Sequence, residues 1–463
     1  LEQADGLRAS NNPLPDAAAG IEVSSDATLT GLASFENSAS AAATSGASTA
    51  TAAANEIDGT SINSTDIGGV GSITGQTNFA GSADAANVTD GNSTSTASLN
   101  DADGLEGKDL IDVSSDAGLT GLNDVDLTAS AASTGSAALP TTASSTAEAT
   151  TLQGAQLSNN TDIGGVGTIG GQVDFNGSAA SSNVTGNAVA KGSLASLAQG
   201  LSTGVDTESG VFGTAISSDG TVQGFANLDT SADASTTAGE ADADAIGANI
   251  DGAQLGDLSI GGIGTVTGSA NFAAAANAAN VTGGGAEAAN ANAQVTTVDG
   301  LVSLSGDGID ISSDAGIQGL ASIDLTSAAQ STGATGDATT AAATSDATTL
   351  KGAELNSLTD IGGVGSITGQ VSLGSTADAA NVTGMASGVG TINTAEGLDL
   401  NAQLEVASDA TVSGSTTVGS TANAATTNGS AIASSKGNIN TGADLSGGLV
   451  DIGGIGSIAG QAN

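Results

Sequence analysis

Side chains able to do chemistry are scarce in this chain, and their kinds restrict what it can do. Its 463 residues include no His and no Cys. That removes the commonest general base, the thiolate nucleophile, disulfides, and the imidazole and thiolate metal ligands. What remains is oxygen: 49 Asp and Glu against 5 Lys and Arg, a formal net charge of −44. Paired acids in turn-like segments suit a hard cation, for instance Asp101 and Asp103 in "NDADG" or Asp242 and Asp244 in "ADADA". They are candidate calcium ligands without the order of an EF-hand loop; solvated surface acids are the alternative, and no other cofactor is indicated. Catalysis would have to use paired carboxylates, Ser–Lys or Thr chemistry. The four Lys stand in unlike contexts ("EGKDL", "VAKGS", "TLKGA", "SSKGN"), and no carboxylate pair is set apart from its repeat. No catalytic residue is assigned, and a non-enzymatic protein is expected.

Three short motifs invite functional readings. "GVGTIG" at Gly165 to Gly170 fits G-x-G-x-x-G, but its sibling copies read "GVGSITG", and neither a βαβ unit nor a following acidic residue accompanies it. Its glycines are expected to turn a corner. "GGVGSI" resembles the start of the calcium-binding nonapeptide G-G-x-G-x-D of secreted repeats-in-toxin proteins. The ligand Asp is replaced by Ile73, Ile169, Val266, Ile367 and Ile458, so that calcium roll is not implied. "NVT" at Asn87, Asn183, Asn280 and Asn381 fits the glycosylation sequon, yet each Asn falls on the inward side of a strand pattern, where it would ladder with its equivalents.

These motifs recur because the chain is a repeat. Gly68, Gly164, Gly261, Gly362 and Gly453 hold one place in five copies of "IGG(V/I)G", about 97 residues apart. A second family, "VSSDA" and its variants at Val23, Val113, Ile216, Ile311 and Val406, lies between them, so each long period holds two halves of about 48 residues. Repeat boundaries follow at 23–112, 113–215, 216–310 and 311–405, with a partial unit at 1–22 and a truncated fifth at 406–463.

The two halves share a strand pattern. After "GGVGS", Ile367, Gly369, Val371, Leu373, Ser375, Ala377 and Ala379 alternate with polar residues, and the segments after Leu29, Ile73, Val222 and Val412 repeat the pattern. Period two marks a strand with one buried face. That face begins with Ile, Val or Leu, offers one larger residue (Phe79, Phe175, Phe272 or Leu373), and then shrinks to Ser, Gly and Ala. The Gly two places after the first apolar residue (Gly31, Gly75, Gly171, Gly268, Gly369) would leave room for a neighbour's Phe or mark a bend. The Asp of "SSDA" is placed to hold a turn by bonding the backbone.

With no Trp or Tyr, six Phe and 70 Gly, the chain cannot build an ordinary globular core. Its low charged fraction, scarcity of Pro and regular apolar positions weigh against disorder. The expected fold is all-β: an elongated β-solenoid or stacked β-sandwich in which each repeat is stable only among its neighbours. A row of separate immunoglobulin-like domains is the rival; the half-repeat and the missing aromatic core weigh against it.

The sequence opens in the same phase as "INTAEGL" at Ile392 and stops in the middle of a strand at Asn463. It lacks an initiator Met and a signal peptide, so a targeting segment is expected outside it. An uncapped strand edge templates another strand. Leu1, Leu7, Ile458, Gln461 and Asn463 are therefore expected at a junction, either with another copy of the chain, head to tail, or with a continuation of a longer chain. The negative charge argues against nucleic acid as a partner, and no apolar run is long enough for membrane insertion. With its repeats and its Gly/Ala/Ser/Thr-rich, base-poor composition, the whole chain resembles the secreted repetitive β-rich surface proteins of bacteria, including filamentous adhesins and surface-layer proteins. The resemblance implies an extracellular or cell-surface structural protein, a filament, fibre or sheath subunit. An adhesin stalk, phage fibre or ice-binding solenoid is the alternative, hinted at by Thr spacing in "TATAAAN" at Thr49 and "TSTAS" at Thr94.

Overall fold

The structure is a computed structural model that describes residues 3–9, 20–135, 139–204, 213–281, 287–304, 308–333 and 339–463. Among them the regular elements are all strands, and every ladder is parallel. The chain winds as a β-solenoid, and successive turns, or rungs, stack in register. This is the expected all-β repeat architecture in its β-solenoid form, and the parallel ladders exclude the row of separate immunoglobulin-like domains. No described helix is long and apolar enough to cross a membrane.

Each rung has three sides. A long strand such as Gly71–Thr89 forms the first, a middle strand such as Ser93–Gly107 the second, and a three-residue strand such as Ile111–Val113 the third. The short strands make a separate 10-stranded sheet. In Gly167–Thr203, Gly365–Leu400 and Ala410–Asp444 the long and middle sides run on as one strand around their shared corner. That corner is turned at Gly186, Gly239 and Gly384, with φ of 112°, 137° and 115°, a region costly for residues with a Cβ.

One half-repeat is one rung. Phe35 pairs with Phe79 and Phe79 with Val125, so the "SSDA" and "GGVG" families lie directly on one another. The rung length varies between 44 and 53 residues, as between Asp219 and Ile263 or Asp174 and Asn227. The two families differ because their turns interlock. Asp26 Oδ1 accepts a hydrogen bond from Val70 N at 2.9 Å, and Asp116, Asp219, Asp314 and Asp409 do the same for Val166, Ile263, Val364 and Ile455 at 2.8 Å. The Asp thus holds the turn of the next rung rather than its own. A Cβ on Gly69 would lie 2.3 Å from Asp26 Oδ1, so the receiving turn needs glycine.

Inside, the long and middle sheets touch backbone to backbone. A Cβ built on Gly75 would stand 1.9 Å from Gly104 O, and the same holds for Gly121 against Gly154 O and Gly171 against Gly200 O. Two facing glycine columns therefore run the length of the stack. The space left by Gly31, Gly75, Gly171, Gly268 and Gly369 goes to the opposite strand and not to a neighbour's Phe. The Phe rings lie four positions after these glycines, and other glycines make room for them: Gly177 for Phe175 and Gly247 for Phe272. The columns divide the core. On one side Ile73, Leu119, Ile169 and Val222 pack with Ile67, Val113 and Ile163 of the short sheet. On the other, Phe79, Val125, Phe175, Leu228 and Phe272 stack among alanines such as Ala52, Ala97 and Ala147. At about 25 cal/mol per Å² of apolar surface, alanines contribute little each. Cohesion comes from repetition and from the ladders.

Gly171→Ala is expected to lower stability by about 3 kcal/mol or more, the upper end of overpacking costs, because backbone must move. Its neighbour Gly170 is the control: a Cβ there meets nothing within 4 Å, so Gly170→Ala should be neutral or slightly stabilising. Denaturant midpoints of the two variants check this, and similar values would refute the backbone-contact assignment.

Candidate functional site

The glycine contact that flattens the interior also shapes the outside of the middle face. Up to the glycine the middle strand alternates buried and half-exposed residues; around it, Ala102, Asp103, Gly104 and Leu105 are buried in succession. Ladder register slips just before this point, between Ala149 and Thr151 and between Ser193 and Leu197. The result is a polar column, one residue per rung, immediately before each glycine: Asp5, Asp58, Asp103, Gln153, Gln199, Asp251, Asp299, Lys351, Glu396 and Thr441. A cavity of about 440 Å³ opens along it, lined by Gln199, Asp251, Gln254, Asn249, Thr297 and Asp299 among others.

Neutralisation differs from rung to rung. Gln153 Nε2 donates to Gln199 Oε1 at 3.0 Å, and Gln199 Nε2 to Asp251 Oδ2 at 3.1 Å and Gln254 Oε1 at 2.9 Å. Lys351 Nζ donates to Glu354 Oε1 at 2.6 Å and Asp399 Oδ2 at 2.7 Å, with Glu396 Oε2 4.0 Å away. Near the other end Lys108 pairs with Glu106 at 2.9 Å and Arg8 with Asp5 at 3.2 Å. Asp103 Oδ1 and Asp299 Oδ1 are buried without a hydrogen-bond partner.

Crowded, desolvated carboxyls hold their protons. Burial, then Glu106 and Glu56, raises Asp58 to about 7; burial and Glu56 raise Asp101 to about 6; burial raises Asp251 to about 6 against the pull of Gln199. Asp103 and Asp299 lie well above the ordinary range, through burial and then the neighbouring Asp101 and Asp251. For Lys351 burial acts downward but is outweighed by its bonds to Asp399 and Glu354, so its pKa rises.

Of the residues singled out in the sequence, Asp101 and Asp103 lie in this groove. Asp242 and Asp244 do not: they stand half-exposed on another part of the middle face, where they accept hydrogen bonds from Asn290 Nδ2 (2.7 Å) and Asn292 Nδ2 (2.8 Å) of the next rung. The two pairs are not brought together, and among the described residues no three His, Cys, Asp or Glu converge on one metal position. Asp58, Asp251, Asp299 and Lys351 escaped notice. Their signal is the tetrapeptide recurring once per rung, "IDGT", "ADGL", "LQGA", "AQGL", "IDGA", "VDGL", "LKGA" and "AEGL".

The other singled-out residues also have places. Leu1 lies outside the described residues. Leu7 pairs with Thr60 in the first middle strand, at the opposite end of the stack from Ile458, Gln461 and Asn463. There Asn463 N donates to Thr416 O at 3.0 Å, and Ile458 is 53% exposed. The sequon asparagines are buried, as expected, but do not ladder with one another, because Ser133, Thr236 and Ser331 intervene. They brace the corner: Asn183 Nδ2 donates to Thr141 O at 2.8 Å and Asn187 O at 2.9 Å, and Asn381 Nδ2 to Thr339 O at 3.0 Å and Met385 O at 2.9 Å.

Comparison with known proteins returns nothing: no family model, curated protein or solved structure matches the chain.

The raised carboxyl pKa values give the groove a pH dependence of definite sign. Asp58 titrates near 7 when folded and near 3.9 when unfolded, so its stabilising contribution is complete below about pH 4 and is lost as pH rises through about 7. The melting temperature is expected to fall between pH 5 and pH 8. Asp58→Asn, which removes the titration, should make that slope shallower; an unchanged slope would contradict the assignment.

Proposed function

We propose that this chain is a structural, non-enzymatic component of an extracellular filament, fibre or sheath, extended along its axis by rung-on-rung stacking. The supporting observation is the interlock between rung types. Each "SSDA" rung offers an Asp to a "GGVG" turn on one side, and each "GGVG" rung receives the next "SSDA" rung on the other, as where Gly71 N bonds Asp116 O at 2.9 Å. A free "GGVG" edge therefore accepts an "SSDA" rung whether that rung comes from another copy or from more of the same chain. Two rows of exposed aliphatic side chains suit lateral packing into a sheath: Val70, Val166, Ile263 and Val364 at one corner, Val88, Val184, Val281 and Val382 at another, each recurring every second rung. Five basic residues leave few sites for trypsin-like proteases, which fits an exposed, long-lived polymer. Salt should favour association of so acidic a chain by screening its repulsion. Electron microscopy of purified protein in physiological salt is expected to reveal filaments with an axial repeat of about 4.8 Å per rung; monomers alone at all salt concentrations would overturn the proposal.

A binding face is the second reading, and one observation favours it. Thr49 and Thr51 stack in register on Thr94 and Thr96, which stack on Ser144 and Thr146, forming a flat hydroxyl array across three rungs. It ends at Val189 and Lys191 in the next rung. An ice-binding role predicts thermal hysteresis that Thr96→Lys abolishes; no hysteresis in the unmodified protein removes that role.

A further inference from the structure

The middle-face column sets carboxyls one rung apart, about 4.8 Å at the backbone, and two pairs are left without a cation of their own. Asp251 stacks on Asp299, and Asp58 on Asp103. In each pair one oxygen, Asp299 Oδ1 or Asp103 Oδ1, is buried and unpartnered, on residues only 7% and 6% exposed. Leaving such an atom unpaired is costly, and native structures satisfy nearly all of them. Elsewhere in the same column the chain supplies the missing partner itself. Gln153 and Gln199 link by their amides, and Lys351, directly above Asp299, gathers Glu354 and Asp399 within 2.7 Å of its ammonium. Lys351 demonstrates that a cation fits this groove and that carboxylates close around it.

We propose that the stacked pair Asp251–Asp299 binds a divalent metal cation, and that Asp58–Asp103, stacked in the same column, is a second site. The donors are all oxygen, since the chain has neither His nor Cys, which selects a hard cation such as Ca²⁺. Two carboxyls do not fill a Ca²⁺ shell of six to eight oxygens. The cavity of about 440 Å³ beside Asp251 and Asp299 holds the amide of Gln254 and has room for completing waters. Binding would tie the two side chains together across the rung boundary, so the ion would join rung to rung. Asp251 bonds Gln199, and Asp299 accepts a backbone hydrogen bond from Lys351, which leaves Asp299 Oδ1 for the metal.

Isothermal titration of the folded protein with CaCl₂ at pH 7.5 tests this. Two saturable equivalents are expected, falling to one in Asp299→Asn or Asp103→Asn and to none in the double variant, with circular dichroism reporting retained β-structure. Absence of saturable binding, or binding unchanged in the double variant, overturns the proposal. Should a variant not fold, the unmodified protein decides. Ca²⁺ must raise its melting temperature above the value in NaCl of equal ionic strength; equal shifts mean charge screening alone and reject the sites.

Discussion

The close approach of two sheets at a pair of glycine columns is the constraint on which the rest of the molecule depends. With a Cβ of one column falling about 1.9 Å from a carbonyl oxygen of the other, no other residue can stand there. The contact divides the interior into an aliphatic compartment under the short sheet and a Phe–Ala compartment beyond it. It also explains a composition that looks unable to fold. A core this thin has little volume to fill, so Ala, Ser and Gly suffice on most inward positions, and a few larger residues per rung, such as Val125, Leu127 and Leu152, fill the wider space.

Thin cores make each rung weak and the stack strong. Little apolar area is buried within one turn of the chain, whereas every strand of an internal rung has hydrogen-bonded neighbours on both sides. The alternation of Asp-bearing and Gly-bearing turns adds a directional contact at every second boundary, with a polarity that runs the same way along the stack. That polarity is the physical basis for the axial assembly proposed above.

Parallel stacking has an electrostatic consequence. Register places equivalent side chains of adjacent rungs side by side, so a single acidic position becomes a line of charge. On open parts of the faces water and amides relieve this, as Asn290 and Asn292 do for Asp242 and Asp244. Beside the glycine columns the backbone is drawn inward and the carboxyls are buried, and there they take up protons, pair with Lys351 or, as proposed above, hold a cation from solution. Three of the chain's five basic residues, Arg8, Lys108 and Lys351, serve this groove.

The sequence by itself determined the strands, the period of two, the inward face and the half-repeat, because alternation and repetition are local and survive without knowledge of partners. It also pointed to Asp101 and Asp103, since closely spaced acids are visible in one dimension, but the same signal picked out Asp242 and Asp244, which lie outside the groove. Tertiary structure alone decided that successive halves lie in parallel register, and therefore that the Asp of one turn serves the next, that inward Gly faces Gly rather than Phe, and that each sequon Asn braces a corner between Ser or Thr neighbours. The groove was hidden for the same reason. Asp251 and Asp299 lie 48 residues apart and become neighbours only when the chain has made one full turn, and their burial follows from a backbone contact made by the glycines beside them.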